Sequence, residues 1–516
     1  MAKLQEFNGR YCESEFECAF LAFLETEDWT YTSGNDVNRI TKRDILITDD
    51  FKTFIKENNP DLTEEEVTQI FDNVRLGGSS SDFATLHKVY GWMVDGVQFT
   101  PKNGLAKMIS LIDFENPDRN IFRAVNQYAV EYTNNGEKKD HRPDVLLFVN
   151  GMPLCVIELK NPADQNATIY DAWEQITIRY WRDIPHLLHY CPLACISDGV
   201  KTRLGTVRTP YEHFYAWRRA NDGDEVSTTP FAETETMIKG VYSPARFLEI
   251  FRDYIYFQDS IYDKDEKEIV CRYPQFFASK LLKQSIVNSV VSKSGKGGTY
   301  FGATGCGKTY TMAFLARQLA LRCTDIPEIG SPTIILIVDR EELQKQGAKL
   351  FTKSTEFLNL GEVSVVKNRK QLREELKARQ SGGLYICTIQ KFCDRKDDKI
   401  GLINDRANII CFSDEAHRTQ LEHSKEIKFS KDADENMKAM LSKPYAKVLK
   451  EAFPHATYVG FTGTPIAETY QTFGEEIDRY TMDQAVADGL TVSIKYHPRI
   501  AKVLLDKQKV QEIEAY

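Results

Sequence analysis

An aspartate and a Glu-x-Lys triplet stand at the ends of two neighbouring apolar segments. Asp144 precedes the run 145–149, and the run 153–157 leads into Glu158 and Lys160, which face the same side of a strand. Two carboxylates can share a divalent metal ion while a lysine orients or activates water, which is the chemistry of phosphodiester hydrolysis. Exposed strands often carry Glu-x-Lys by chance, but these acids adjoin apolar strands, where an unpaired carboxylate is costly. We therefore expect Asp144 and Glu158 to bind metal and to act with Lys160 in catalysis.

The turn between the two apolar segments decides whether the acids meet. Asn150-Gly151 is a strong signal for a two-residue hairpin turn. A regular turn of that length pairs Asp144 with Ile157, so that Glu158 faces away, whereas a three-residue loop pairs Asp144 with Glu158. Because catalysis needs the acids together, the sequence predicts the longer loop or a bulge that shifts the register by one residue.

A second group of residues has the pattern of a phosphate-binding loop. Residues 302–309 read Gly-Ala-Thr-Gly-Cys-Gly-Lys-Thr and match that pattern in full. Lys308 would reach the β and γ phosphates of ATP, and the Thr309 hydroxyl would hold Mg²⁺. A helix over 310–321 would place the phosphates at its N-terminus, where backbone donors are unpaired. The residues expected to bind the nucleotide here are Gly302, Thr304, Gly305, Cys306, Gly307, Lys308 and Thr309.

An acidic pair follows another apolar strand farther along the chain. The run 409–412 is typical of a buried strand, and Asp414 and Glu415 come after it. A strand that ends in such a pair presents the aspartate to the Mg²⁺ of the nucleotide and the glutamate to the attacking water. We expect Asp414 to bind Mg²⁺ and Glu415 to be catalytic. Residues 462–465, Thr-Gly-Thr-Pro, close a further strand, where two hydroxyls can sense the γ-phosphate.

In this order the segments resemble those of superfamily 2 helicases and translocases. Residues 414–417, Asp-Glu-Ala-His, resemble motif II, and residues 462–465 resemble motif III. Residues 334–340 and 388–390 resemble motifs Ia and Ib, whose strand ends touch the nucleic-acid backbone in that superfamily. Residues 272–275, Arg-Tyr-Pro-Gln, resemble the segment that reads adenine, so the resemblance makes Gln275 the expected base contact. A glutamine at a helix entry with no ligand is the alternative.

The whole chain resembles the R subunit of type I restriction enzymes, nuclease through motor. The resemblance implies an α/β fold: a PD-(D/E)xK nuclease domain, with Asp144, Glu158 and Lys160 as its catalytic residues, followed by a RecA-like parallel-sheet P-loop ATPase lobe. It also implies ATP and Mg²⁺ as cofactors, and double-stranded DNA and the methyltransferase (M) and specificity (S) subunits as partners. The segments that carry it are Asn126-Gln127, 142–144, 150–154, 158–162 and 196–199.

Three further candidate residues of the family's nuclease site are harder to assign. An N-terminal helix in the family often adds an acid, for which Glu17 is the best candidate; an exposed helix glutamate is an equal alternative. The family often carries Gln-x-x-x-Tyr after the lysine. Here Gln175 and Tyr180 have one residue too many between them, so either can serve, but not necessarily both.

Length and composition fit a large folded protein of several domains. The chain has 516 residues, 42% of them hydrophobic, and no apolar run of membrane-span length. Eleven cysteines without a C-x-x-C pair favour reduced buried thiols, no zinc site and a cytoplasmic location. The net charge of −9 is weak evidence against DNA binding, because affinity follows local basic patches.

Composition and motif order divide the chain into four parts. We expect a nuclease domain over 1–220, a helical linker over 221–270, a RecA-like first lobe over 271–470, and a connection to a second lobe over 471–516. Polar, turn-rich residues at 220–230 mark the first boundary. Motors of this kind need an arginine from a second lobe, and no arginine-bearing motif follows here; a fragment of a longer subunit is favoured over a degenerate protein.

Three functions remain open on the sequence alone. The leading interpretation is ATP-dependent DNA translocation and endonucleolytic cleavage as the R subunit of a type I restriction-modification complex. A stand-alone helicase-nuclease in repair or phage defence is the alternative, and a DNA-stimulated ATP switch with a scaffold-only nuclease fold is the third. The recognition sequence, the cleavage position and the stoichiometry are not encoded in these motifs.

Overall fold

The computed structural model describes residues 5–7, 10–12, 14–77, 82–161, 168–226, 232–258, 266–339, 349–392, 399–416 and 445–492. Arg340 and His417, which were expected in motifs Ia and II, lie outside these residues.

Helices flank a mixed β-sheet in the first part of the described chain. The strands of this part of the chain, inside and outside that sheet, are β1 (Gln5–Phe7), β2 (Arg10–Cys12), β3 (Thr30–Ser33), β4 (Val97–Phe99), β5 (Lys107–Ile109), β6 (Phe122–Asn126), β7 (Val130–Asn134), β8 (Glu137–His141), β9 (Val145–Val149), β10 (Met152–Leu159), β11 (Leu193–Ser197) and β12 (Thr202–Thr206). Its helices are α1 (Glu15–Thr26), α2 (Thr48–Asn58), α3 (Glu64–Arg75), α4 (Asp82–Asp95), α5 (Ile169–Glu174), α6 (Trp181–Asp183) and α7 (Pro185–Leu188), with a π-helical turn, Gln175–Tyr180, between α5 and α6.

The central strands of this sheet are buried on both faces. Among the described residues the strand order is β12-β11-β10-β9-β6-β3. Every residue of β9 and β10 is buried, as near-continuous apolar runs require. A capping box begins α3, since the Thr63 and Glu66 side chains each accept the other's backbone N–H.

The segment between the two large sheets is not purely helical. It contains α8 (Ala232–Met237), a π-helical turn (Ile238–Tyr242), α9 (Pro244–Asp253), β13 (Ile255–Gln258) and β14 (Lys267–Val270). The prediction of a helical linker did not anticipate the antiparallel β13–β14 pair. These strands are short and carry no alternation strong enough to distinguish them from helix on sequence alone.

The second large sheet is parallel throughout the described residues, in the order β17-β18-β16-β19-β20-β15-β21. Its strands are β15 (Lys296–Gly302), β16 (Thr333–Val338), β17 (Val363–Val365), β18 (Leu384–Thr388), β19 (Ile409–Asp414), β20 (Thr457–Thr462) and β21 (Glu476–Tyr480). The helices around it are α10 (Tyr273–Ser292), α11 (Lys308–Arg322), α12 (Thr355–Leu358), α13 (Arg369–Ala378), α14 (Tyr445–Ala452), α15 (Ala467–Phe473) and α16 (Met482–Ala487).

The position of β21 corrects the expected lobe boundary. Residues 471–516 were expected to leave the lobe after residue 470, but β21 pairs with β15 at the edge of the sheet. Its residues are mostly half-buried, with exposed Arg479 and buried Tyr480, which is typical of an edge strand. A search for buried apolar runs therefore passes over it.

The two large sheets share a hydrophobic core. Residues of β9 and β10 belong to the same core cluster as Ile334 and Leu336 of β16, whereas Ile335 and Ile337 face a second cluster on the other side of the parallel sheet. Between the sheets, the Trp217 ring packs on Phe276, with ring centroids 5.7 Å apart. The two parts of the described chain therefore pack as one body.

The described cysteines are mainly buried thiols. Eight of those described are free and buried, which agrees with the expectation, but Cys18 is disulfide-bonded, which does not. None of the described helices has the length and the apolar character needed to cross a membrane.

Candidate nuclease and ATPase sites

A β-bulge in strand β10 sets the register of the nuclease hairpin. Asn150 and Gly151 have φ angles of 51° and 76°, which fit a two-residue type I′ turn. Met152 pairs with Val149, but the register shifts between Pro153 and Cys155, so Ile157 pairs with Val145. Asp144 and Glu158 come next on their strands and therefore lie side by side. The predicted one-residue shift is confirmed, and its form is the bulge rather than the longer loop.

Asp144 is held at the start of β9 by the backbone of the neighbouring strand. Its Oδ2 accepts a 2.7 Å hydrogen bond from the Leu159 N–H, and its side chain is buried. Its carboxyl group also contacts that of Glu158. The structure thus brings together the two acids that were expected to bind metal.

Glu158 is fully buried and accepts two side-chain hydrogen bonds. Tyr180 donates its hydroxyl to Oε1 at 2.5 Å, and Gln175 donates its Nε2 amide to Oε2 at 2.8 Å. Burial, and then the negative charge of Asp144, raise the pKa of Glu158 well above its ordinary value. Two carboxyls in this position repel each other when both are ionised, so the pair favours a shared proton or a cation.

The π-helical turn explains how both Gln175 and Tyr180 reach Glu158. Their spacing is one residue longer than the family pattern, and in a regular α-helix they would not share a face. In the π-helical turn over Gln175–Tyr180 the backbone bonds run from i to i+5, which absorbs the extra residue. The sequence left open whether both residues serve at the site. In the structure both bind Glu158, and Gln175 also donates to the Tyr180 hydroxyl at 2.8 Å.

Lys160 lies beside this acid pair, at the end of β10. Its Nζ donates to Gln175 Oε1 at 2.9 Å, and its backbone N–H donates to the Ser197 carbonyl at 2.8 Å. Its positive charge opposes the rise in the pKa of Glu158. Gln175 therefore connects Lys160 to Glu158 through opposite ends of one amide group.

Glu17 is buried and points toward the same site, so it is not an exposed helix glutamate. Asn126 Nδ2 donates to Glu17 Oε1 at 2.7 Å. Gln127 Nε2 lies 3.3 Å from Glu17 Oε2 and 3.4 Å from Asp144 Oδ1, and so links the two carboxylates. Gln127 has a φ of 50°, an uncommon conformation for a residue with a side chain.

His141 is a neighbour of this site that the sequence reasoning did not single out. Its ring stacks on Tyr132, with centroids 4.7 Å apart, and lies 5.3 Å from the ring of Tyr180. Its Nε2 lies 2.8 Å from Asp183 Oδ2, and hydrogen bonds from Arg182 and then His141 are among the causes that lower the pKa of Asp183 to about 2. The position of His141, three residues before Asp144, was the only available signal.

The phosphate-binding loop joins β15 to α11. Gly305 and Gly307 have φ angles of 83° and 84°, which only glycine adopts without strain. Gly302 is buried, Cys306 is 3% exposed, and Thr304 is exposed. Lys308 and Thr309 open α11, and Lys308 Nζ donates to the Gly302 carbonyl at 3.1 Å across the loop.

Asp414 and Glu415 close β19, opposite Lys308. Burial raises the pKa of Asp414 to about 6, against the opposing effect of Lys308 and with a smaller contribution from Glu415. Glu415 has a φ of 49°, and its N–H donates to Asp414 Oδ1 at 3.0 Å. The Ala416 N–H donates to the Phe461 carbonyl at 3.0 Å, which ties this strand end to β20.

Two other expected segments contact the phosphate-binding loop. Gln275 Nε2 lies 3.4 Å from the Gly307 carbonyl, and Arg272 donates to the Cys306 carbonyl. A Cβ on Gly307 would lie 2.6 Å from the Arg272 guanidinium, and one on Gly463 would lie 3.3 Å from Thr304 Oγ1. The structure therefore gathers the loop, the 272–275 segment and the 462–465 segment around one space.

Comparison with known proteins matches two parts of the chain to separate family models. Residues 12–213 match the family model of the type I restriction enzyme R protein N terminus, and residues 274–515 match that of the SWI2/SNF2 ATPase. The type I restriction enzyme HindI endonuclease subunit of Haemophilus influenzae is 30% identical over 508 residues. That alignment covers 94% of this chain and 46% of the relative. The first part of the chain is thus similar to the N-terminal part of type I restriction enzyme R proteins, and the second part to SWI2/SNF2 ATPases.

Another R-protein relative gives a similar result. A putative type I restriction enzyme MjaIXP endonuclease subunit of Methanocaldococcus jannaschii is 29% identical over 526 residues, which is 95% of this chain and 46% of the relative. A fragment structure of a putative HsdR subunit from Vibrio vulnificus is 15% identical, with a TM-score of 0.25, and covers 71% of this chain and 56% of that one. The chain thus spans about half the length of the curated R proteins it matches.

Proposed function

We propose that this chain uses ATP to move along double-stranded DNA and cleaves the DNA as the R subunit of a type I restriction-modification complex. The observation that carries the proposal is the buried Asp144–Glu158 pair with Lys160, in the same chain as a complete phosphate-binding loop facing Asp414. The matches to the type I restriction enzyme R protein N terminus and to the SWI2/SNF2 ATPase support the same conclusion. The methyltransferase and specificity subunits would supply site recognition.

The nuclease site suits a divalent metal ion. Its acids are buried, and the pKa of Glu158 is raised by burial and by Asp144, so a cation between them would remove their repulsion. Asp144 and Glu158 would hold Mg²⁺, which supplies Lewis-acid stabilisation of the phosphate when bound. Gln175 and Tyr180 fix the Glu158 carboxyl, and Lys160 is placed to orient or deprotonate the attacking water.

The ATPase site suits Mg·ATP in the same way. Thr309 and Asp414 would hold its Mg²⁺, Lys308 and the loop backbone would bind the phosphates, and Gln275 would contact the adenine. Lys308 Nζ donates to the Gly302 carbonyl across the loop, and the phosphates of ATP would compete for this donor. Glu415 would act on the attacking water.

The direct test compares wild type with Asp144→Asn in complex with the M and S subunits. Wild type is expected to cleave unmethylated DNA only with ATP and Mg²⁺, and the variant to keep DNA-stimulated ATP hydrolysis while losing cleavage. Cleavage by the variant at the wild-type rate would refute the nuclease assignment. Cleavage by the chain without M and S subunits would favour a stand-alone helicase-nuclease.

A further inference from the structure

A two-stranded ribbon, β7 and β8, projects beside the nuclease site. It pairs with no other strand in the part of the chain that the structure describes. Four of the five residues of β8 are exposed, and so are the last two of β7. A ribbon of this size is marginally stable alone and buries little. The ribbon therefore adds little to the stability of the core, which points to a role in contacts outside it.

The base of the ribbon is fixed to the catalytic residues. His141, the last residue of β8, contacts both Asp183 and the Tyr180 ring, and Tyr180 binds Glu158. In the other strand, β7, the Glu131 N–H donates to the Lys42 carbonyl at 3.0 Å. Whatever the ribbon binds is thus held at a fixed position relative to the acid pair.

Four cationic side chains surround two acids at one face of the ribbon, and they are more exposed than the acids. Glu131 and Asp140 pair across the strands, as do Thr133 and Lys138, so these four side chains share a face. We define the basic face as the four cationic side chains around the two acids: Lys42, Arg43, Lys138 and Arg142. The side chains of Glu131 and Asp140 are 20% and 30% exposed, whereas the four cationic side chains are 50%, 59%, 75% and 37% exposed, in chain order.

These ion pairs leave the basic face available for another anion. Exposed pairs of this kind contribute little to stability, and each acid is shared by two cations. Arg43 also donates to the Thr133 hydroxyl at 3.0 Å, so its guanidinium is directed along the ribbon. On a chain of net charge −9, an outward excess of positive charge beside a nuclease site complements a polyanion.

We propose that the basic face of the β7–β8 ribbon binds the phosphate backbone of duplex DNA and holds it at the nuclease site. This inference rests on the proposed function and names the surface through which its substrate is positioned. Phosphate contacts of this type are independent of sequence and set the register of the DNA on the protein. The contribution of the ribbon should therefore be the same on unrelated DNA sequences.

The test measures how DNA affinity depends on salt for Arg43→Gln/Lys138→Gln. Binding of the full chain to two unrelated 30-base-pair duplexes, without ATP, is followed by fluorescence anisotropy at several KCl concentrations. Each lost phosphate contact lowers the slope of log K against log salt by about 0.9, so the double variant should lose about two from the slope. Lys138→Gln alone should lose about one.

The matched control is Lys102→Gln/Arg119→Gln. These residues also pair with acids and are 62% and 55% exposed, but they lie outside the basic face. The control should keep the wild-type slope. An unchanged slope in the ribbon variant would overturn the proposal and would leave an acidic protein as the better occupant. The outcome is separable from the proposed function, which stands or falls on cleavage by wild type and Asp144→Asn.

Discussion

At the scale of single residues, the buried acid pair lowers the stability of the metal-free protein. Glu158 has no solvent contact, and its pKa is raised by burial and by Asp144. Without metal, ionisation of this group therefore works against folding. Below the ordinary pKa of a glutamate the group is neutral in both the folded and the unfolded chain, and the penalty appears as pH rises through the folded pKa.

Glu158→Gln should therefore stabilise the metal-free protein at neutral and alkaline pH. The substitution keeps the shape of the side chain and removes the charge. We expect the unfolding temperature in EDTA to rise by about 1 °C at pH 8, which corresponds to ~1 kcal/mol for a cooperative unit of this size, and the difference to vanish near pH 4. Thermal scans of both proteins measure it. A variant less stable than wild type at pH 8 would contradict the account of Glu158.

At the scale of elements, two one-residue irregularities build the nuclease site. The bulge between Pro153 and Cys155 turns Glu158 toward Asp144, and the π-helical turn brings Gln175 and Tyr180 to Glu158. Each inserts one extra residue into a regular element, and together they converge on one carboxyl group. The site therefore depends on the number of residues in these elements as much as on their identity.

Deletion of Ile178 should leave the nuclease active. Ile178 is 48% exposed, and its removal restores a four-residue spacing that a regular α-helix accommodates, so both contacts to Glu158 are retained. The control inserts an alanine after Ile178, which the helix cannot absorb in the same way. We expect the deletion to keep most cleavage activity and the insertion to lose about tenfold or more, a barrier of ~1.4 kcal/mol. If the deletion loses as much cleavage as the insertion does, the π-helical turn has another role.

The sequence predicted one of these irregularities and not the other. The bulge followed from a conflict between the Asn150-Gly151 turn and the need for Asp144 to meet Glu158. The π-helical turn produced no such conflict, because a helix with one misplaced contact is still a plausible helix. The β21 strand and the β13–β14 pair were missed because short strands with mixed burial lack a clear period.

At the scale of the whole molecule, the two proposed activities should be separable in one direction only. Lys308→Ala removes the positive side chain of the phosphate-binding loop, so ATP hydrolysis should fail, and cleavage that follows translocation should fail with it. Lys160→Ala should abolish cleavage and leave ATP hydrolysis near the wild-type rate. Both activities are measured in the complex with M and S subunits. Cleavage by Lys308→Ala at the wild-type rate would show that the nuclease does not depend on the motor.

Motif order on the sequence predicted both sites but not the way in which they are joined. The contacts at the junction include the packing of the Trp217 ring on Phe276, the Arg219–Asp478 ion pair at 2.8 Å and the Arg218–Asp488 ion pair at 2.8 Å. These residues belong to no motif, and each of the two ion pairs joins residues more than two hundred positions apart in the chain. Pattern analysis has no means of linking them.

The continuous core and these buried ion pairs have a consequence for heat denaturation. Two parts that share a core cannot melt separately without exposing it, so the chain should show a single cooperative endotherm in calorimetry. A ligand that binds only the folded protein then raises that one midpoint, whichever site it occupies. ATP at Lys308 would thereby protect the distant Asp144–Glu158 pair from unfolding, and Mg²⁺ at that pair would protect the ATP site, with no change of shape at either.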